Sequence, residues 1–199
     1  MKTIQVTIAG DAPLMMHNDR LANPMDEYAR QLKEYTSKRT KTNEDYEAIA
    51  RIEFLGGIYY TEDAGVHLPS RNFRKCIEEG AKISKKGTAI KRGVFVVENT
   101  LALIYQGPKT PKELYAYRGG AFVDTRTAGN NGSRIVRTRP IFAPPWGFVA
   151  TLRYEPTQIN EADLKRCISD AGEFCGLGDY RPIPSGGSFG KFKIEKWEA

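Results

Sequence analysis

Two histidines and three cysteines are all that this 199-residue chain offers toward metal or thiol chemistry. Cys76, Cys167 and Cys175 form no CxxC pair, and with only His17 and His67 to complete a ligand set, no structural zinc site is expected. An odd cysteine count, in a chain whose first residues alternate like a strand and do not resemble a signal peptide, predicts reduced thiols and a soluble, cytoplasmic protein. Asp11, Asp19, Asp124 and Asp179 show no DxD spacing, which removes the usual basis for two-metal nuclease chemistry. No apolar run approaches the roughly 20 residues of a membrane helix. Internal repeats and low-complexity segments are missing too, so neither a solenoid nor a disordered linker is indicated. Neither metal nor cofactor is expected.

What the chain has is cationic charge. Thirty Lys and Arg against 24 Asp and Glu leave a formal net charge of +6, on a length that suits one elaborated domain. An excess of this size favours a polyanionic partner such as nucleic acid, although charge alone speaks to attraction and not to mechanism.

Periodicity gives the element order. Ile4, Val6 and Ile8 alternate with Thr3, Gln5 and Thr7, as in a strand buried on one side. Asn23-Pro24 opens a helix carrying Tyr28, Leu32 and Tyr35, and Thr42 with Asp45 reads as a capping box opening a second helix with Tyr46, Ile49, Ala50 and Phe54. A short hairpin follows at 58–60 and 66–68. Ser70 then caps a helix that turns Phe73 and Ile77 inward and Arg71, Arg74 and Lys75 outward. Residues 82–92 read as a basic, mobile loop, and 94–97 and 101–105 as strands joined by a turn at Glu98-Asn99. Segments 122–127 and 134–139 form an arginine-studded hairpin around 128–133. Phe148, Ala150, Leu152 and Tyr154 mark a further strand, and Asn160 caps a helix whose stripe is Leu164, Ile168, Ala171 and Cys175. Strands at both ends with helices between them predict an α+β domain: an antiparallel sheet with helices on one face, inserted hairpins and a C-terminal glycine-rich loop.

Three segments carry candidate chemistry. Residues 176–190 form a glycine-rich loop in which Gly176, Gly178, Gly186, Gly187 and Gly190 permit close backbone approach, while Arg181 supplies a fork for phosphate. The loop follows a helix and lacks a Gly-Lys-Ser/Thr ending, so it is neither a Walker A loop nor a dinucleotide fingerprint. Arg126, Arg134, Arg137 and Arg139 of the hairpin offer a phosphate track, with Arg137 and Arg139 on one face if the segment is extended; Lys85, Lys86, Lys91 and Arg92 offer a second. Aromatic residues lie near these charges at Tyr115, Tyr117, Phe122 and Tyr180, the combination that single strands use when bases stack and phosphates pair. Tyr180, beside Arg181, is the first choice for stacking. His17, with Asn18 and Asp19 adjacent, is the one candidate general base. His67 reads as structural.

The opening strand with Pro13-Leu-Met-Met-His-Asn18, and the ending Gly176-Leu-Gly-Asp-Tyr-Arg-Pro182 through Gly190-Lys-Phe192, resemble small phage proteins and the repeat-associated (RAMP) RNA-binding superfamily that supplies the backbone subunits of CRISPR effector complexes. The resemblance implies a ferredoxin-like (RRM-like) core and a single RAMP-like domain over 1–199, with insertions at about 19–92 and 106–145. It also implies that Gly176, Gly178, Arg181, Gly186, Gly187 and Gly190 form the glycine loop against a nucleic-acid backbone. The chain departs from the larger backbone subunits in being short, and either the 122–139 hairpin or the 82–92 segment would serve as their protruding thumb. Three functions follow. The first is a non-enzymatic protein of phage or mobile-element origin that binds single-stranded RNA or DNA and assembles as a homo-oligomer or filament. The second is a metal-independent endoribonuclease using His17, and the third an interaction protein that engages a host CRISPR-type defence complex.

Overall fold

A computed structural model describes residues 1–130 and 133–198, without the side chains of residues 128, 130, 133 and 134. In chain order its elements are β1 (Lys2–Gly10), β2 (Leu14–Met15), α1 (Glu27–Thr36), α2 (Asn43–Gly57), β3 (Tyr60–Thr61), β4 (Gly65–Pro69), α3 (Ser70–Ala81), α4 (Gly87–Gly93), β5 (Val94–Val96), β6 (Thr100–Ala102), β7 (Ile104–Tyr105), α5 (Pro111–Tyr115), β8 (Val123–Asn130), β9 (Ser133–Phe142), β10 (Trp146–Tyr154), α6 (Glu161–Asp170) and β11 (Phe192–Glu198). They sort into two units. The first comprises Met1–Met15, Thr61–Gln106 and Phe142–Ala199, and the second Met16–Tyr60 and Gly107–Ile141.

In the first unit the alternation of β1 meets the alternation of β10. Ile4, Val6 and Ile8 stand opposite Leu152, Ala150 and Phe148, and none of the six is more than 2% exposed. Directly opposed residues share a face, so this register places two apolar rows together. The sheet runs β11-β1-β10-β5 with every neighbouring pair antiparallel, and β7 adds to the far end of β10. Helix α3 lies on the apolar face, where the Phe73 ring sits edge-on to Phe148 at 5.0 Å and to Phe192 at 6.0 Å. Helix α6 buries Leu164, Cys167 and Ile168 and packs on α3 and β11. The fold is thus mixed α+β with antiparallel sheet. The opposite sheet face carries exposed Gln5, Phe95, Val149 and Arg153. Beside the main sheet, β4 pairs with β6 and buries His67, whose Nδ1 is 2.9 Å from the Gly65 carbonyl.

The second unit pairs α1 with α2 and adds the β8–β9 hairpin and α5. The Thr42 and Asp45 capping box forms as the sequence predicts. Phe54 of α2 meets the Tyr115 ring at 5.2 Å, and Thr125 and Thr138 join hydroxyls across the hairpin at 3.1 Å.

Several local readings change. Asn23-Pro24 precedes a turn, and Asp26 caps α1 instead, its carboxylate accepting from the Tyr28 N–H. Tyr46 points out of α2, 59% exposed. The first arm of the predicted 58–60 hairpin is Tyr60–Thr61. Pro69, not Ser70, stands at the cap of α3, with no side-chain cap bond. The 82–92 segment is not a loop throughout, because α4 forms around the single buried anchor Ile90; seven residues are too few to show a helical period. Arg74, expected to face solvent, closes the end of that helix by donating to the carbonyls of Lys91 at 2.8 Å and Val94 at 3.1 Å. Strands β5 and β6 do not pair with each other; β5 joins β10, and β6 joins β4.

All three cysteines are buried as thiols. Burial pushes each thiol upward from its ordinary value, Cys76 furthest, with the neighbouring Cys175 adding to the rise. The Cys76 thiol donates to the Gly176 carbonyl at 3.1 Å, which fastens α3 to the start of the glycine-rich loop.

Gly80 is where α3 approaches residue 171 most closely, since a Cβ there would lie 2.5 Å from the Ala171 nitrogen. In an unobstructed helix, alanine is favoured over glycine by about 1 kcal/mol. Here Gly80→Ala is expected to lower stability by about 1–3 kcal/mol through overpacking. The urea midpoint of unfolding measures the sign; an equally stable variant would show that α3 can slide aside.

Candidate nucleic-acid interface

The glycine-rich loop begins where α6, extended by a wide turn closed by the Gly176 N–H on the Ala171 carbonyl, gives way to Gly176 at φ +70°. Gly178, Gly186 and Gly190 also adopt left-handed φ, at +76°, +66° and +69°. At three of the five positions the chain crosses its own backbone: a Cβ on Gly178, Gly187 or Gly190 would fall within 2.2 Å of the carbonyl oxygen of Met15, Tyr180 or Leu177 respectively. The loop N–H groups are engaged accordingly, with Asp179 donating to Met15, Gly190 to Pro13, Leu177 to Gly190, Gly187 to Arg181 and Phe189 to Tyr180. Gly186 faces open space. What the loop presents outward is Tyr180, 44% exposed and edge-on to Phe189 at 5.5 Å, next to Arg181, whose Nε donates to the Ile183 carbonyl at 2.7 Å. Tyr180 itself sits at φ +53°, a conformation that costs a non-glycine residue energy.

Of the lysine track on the same unit, Lys85 and Lys91 line one open groove of about 380 Å³ together with Lys82, Thr88 and Glu78. Lys86 turns instead to Asp163 at 2.8 Å, and Arg92 is exposed on the last turn of α4.

On the second unit the hairpin register sets Arg126 opposite Arg137 and Asp124 opposite Arg139. Like charges directly opposed would repel, and acids relieve them. Asp124 pairs with Arg126 through both carboxylate oxygens. Glu53 of α2, only 4% exposed, accepts from Arg137 with one oxygen and from the Thr138 N–H at 2.7 Å with the other. The Arg134 side chain and the hairpin tip at 131–132 lie outside the described residues. Tyr115 packs on Phe54, and Tyr117 meets Phe122 at 5.4 Å, so of the aromatic set only Tyr117 and Tyr180 remain well exposed.

His17 is held by backbone on both sides. Met16 N–H donates to the Pro140 carbonyl, Asn18 N–H to the Gly57 carbonyl, and the Tyr59 hydroxyl donates to the His17 carbonyl at 3.3 Å. Around it opens a cavity of about 240 Å³ lined by His17, Leu21, Ala22, Leu32, Glu53, Arg137, Thr138 and Arg139. Glu53 is the residue that sequence reasoning missed. It falls four after Ile49 and three after Ala50, so an acid on the buried stripe of α2 was the available signal. Among the described residues, no group of three or more His, Cys, Asp and Glu could hold a metal ion, and no helix is long and apolar enough to cross a membrane.

No protein-family model matches the chain, and no curated protein matches it. A chain in the cryo-EM structure of the Type III-B Cmr-beta bound to cognate target RNA is similar in fold, with a TM-score of 0.50 and 11% identity, over 98% of this chain and 59% of that chain. At that identity the likeness is one of fold, and this protein spans about three fifths of its neighbour's length.

Arg137→Met would leave the Glu53 carboxylate buried beside Thr138 without its cation, and is expected to cost about 1–3 kcal/mol. Adding Glu53→Gln, which keeps an acceptor for the Thr138 N–H, should restore part of that loss. Chemical unfolding of the two variants measures the coupling, and equal destabilisation would show the pair to be energetically independent.

Proposed function

We propose that the chain is a non-enzymatic protein of phage or mobile-element origin that binds single-stranded nucleic acid, RNA foremost, by gripping its phosphate backbone and assembling along it. The observation that carries this reading is the fold likeness, over nearly the whole chain, to a structure whose Cmr-beta is bound to target RNA. The strand order β11-β1-β10-β5, with α3 between the first and second core strands and α6 between the third and fourth, supports a ferredoxin-like core of the RAMP kind. We read residues 1–199 as one such domain, with insertions at about 19–92 and 106–145. Tyr180, Arg181 and Gly186 are the loop's outward contacts for the strand, and Lys85, Lys91, Arg92 and the hairpin arginines its further phosphate partners. The protein acts in the cytoplasm. Each copy contacts few nucleotides, so neighbouring copies gain by sharing one strand.

Titration with single-stranded RNA at increasing salt tests this. The slope of log affinity against log salt is expected to be about −0.7 per contacted phosphate, to shrink in Arg181→Ala, and to be accompanied by more protein bound as the RNA lengthens. A salt-independent affinity would sink the proposal, and a one-to-one complex at every length would remove the assembly.

A second reading is a metal-independent endoribonuclease, and the cavity that gathers His17 with Arg137 and Arg139 favours it: a general base beside two cations is what in-line attack by a 2′-hydroxyl requires. Under the first reading His17→Ala leaves binding intact and no activity is lost. Chelator-resistant RNA cleavage that disappears in this variant would reverse the order of the two.

A further inference from the structure

Strand β9 pairs with β8 along one edge, and its other edge is covered only in part. The Ile141 N–H donates to the Phe122 carbonyl, so odd-numbered residues of β9 turn their main-chain groups toward β8 and even-numbered residues turn theirs outward. On that outward edge the Pro140 carbonyl accepts from the Met16 N–H, and the Thr138 N–H donates to Glu53. Val136 comes next. It stands opposite Thr127 in an unbroken register, and among the described residues nothing bonds its outward N–H or carbonyl. A cavity of about 640 Å³ lies here, with Ile135 and Val136 on the strand side and Tyr46, Ile49 and Ala50 on the α2 side. Tyr46 and Val136 are 59% and 60% exposed. The volume falls within the roughly 300–1,000 Å³ of ligand pockets. The charged groups of the lining are Lys41, Glu53 and Arg137, and each is already held: Glu53 accepts from Arg137, and Lys41 donates to the Lys38 carbonyl at 2.7 Å. What the groove offers is therefore apolar side chains and a strand edge.

We propose that the groove between α2 and β9 takes an extended, apolar peptide segment of a partner protein, which adds to β9 as a further strand at Val136. An unpaired strand edge is a template for another strand, and strand addition draws affinity from main-chain hydrogen bonds and selectivity from alternate side chains. One residue of an antiparallel segment exchanges both of its bonds with Val136, and its alternate side chains rest on Tyr46, Ile49 and Ala50. Glu53 closes one end of the site by holding the Thr138 N–H. Two cations against one acid in the lining disfavour Lys and Arg in the segment. A sugar–phosphate backbone carries no amide to meet the Val136 carbonyl, so a peptide fits this edge better than nucleic acid does. Docking here is independent of the nucleic-acid reading above.

The test uses the full chain to select from a library of random seven-residue peptides displayed on yeast. Enriched sequences are then synthesised and their affinities measured by fluorescence polarisation. Three variants accompany them. Val136→Pro removes the outward N–H and spares the ladder to β8, a position where an edge strand tolerates proline; Val136→Thr keeps both the N–H and the branched shape; Ala50→Phe fills the groove from α2. The expected result is enrichment of β-branched and aromatic residues and depletion of Lys and Arg, with affinity falling roughly tenfold or more in Val136→Pro, falling also in Ala50→Phe, and kept in Val136→Thr. N-methylation of the peptide should abolish binding at one set of alternate residues and leave it intact at the other, a readout that does not depend on how any variant folds. The proposal is overturned if no sequence is enriched, or if N-methylation shows no alternation. It is overturned equally if binding survives in Val136→Pro or Ala50→Phe while that variant unfolds cooperatively on heating. A ten-nucleotide RNA that displaces the peptides, and whose own binding falls in Val136→Pro, would give the groove to nucleic acid and overturn the peptide assignment.

Discussion

Strand β1 is hydrogen-bonded along both edges, to β10 on one side and β11 on the other, and the main sheet depends on it. A strand in this position has no freedom of register. Sliding it by one residue would turn Ile4, Val6 and Ile8 from the helix-covered face to the opposite one and break two ladders at once. The apolar face so fixed gives α3 and α6 their seat, and the helices in turn determine where the chain re-enters the sheet. Gly80 and the Cys76 thiol then tie α3 to the residues that begin the glycine-rich loop. The loop's conformation is therefore an outcome of sheet register as much as of its own glycines.

Charge on the two units is handled differently. In the first, the exposed cations Lys85, Lys91 and Arg92 stand on or beside a short helix, with Lys86 alone drawn off to Asp163. In the second, arginines opposed across a hairpin are compensated by Asp124 and by buried Glu53. The compensation lowers the net field of the hairpin while sharpening its geometry, since an arginine held by a carboxylate loses less freedom on meeting a ligand.

Much of the sheet was legible in the sequence because period-two burial is a strong signal: Ile4, Val6 and Ile8, and Phe148, Ala150 and Leu152, each announce a strand with one buried face, and only the register of β1 with β10 makes the two faces one. The caps Thr42 and Asn160 and the stripe Leu164, Ile168, Ala171 and Cys175 were equally readable, since short-range chemistry decides them. Helix α4 was not, because one buried anchor carries no period. The pairing of β5 with β10 in place of β6 was not legible either, as partner choice is settled by long-range packing that a local turn signal does not contain. At the candidate site the arginines could be named, but Glu53 could be connected to Arg137 and Thr138 only once α2 and β9 had been brought together. In sequence the glycines of 176–190 look like room for a ligand; at Gly178, Gly187 and Gly190 the space is occupied by the protein's own carbonyls.

The edge strand β11 holds one further lesson. Its ladder with β1 runs Gly10 to Phe192, Ala9 to Lys193 and Ile8 to Ile194, then resumes with Thr7 at Lys196 and Val6 at Trp197, passing over Glu195. One unpaired residue changes the parity of everything after it. Phe192 and Ile194 are even-numbered and Trp197 is odd, yet all three stand opposite or beside inward-facing residues of β1, and the Trp197 indole donates to Glu161 of α6 at 2.9 Å. Glu195 works as a spacer in a counting system, setting the parity of the residues after it. At this point in the chain the number of letters, and not only their spelling, decides which face Trp197 takes.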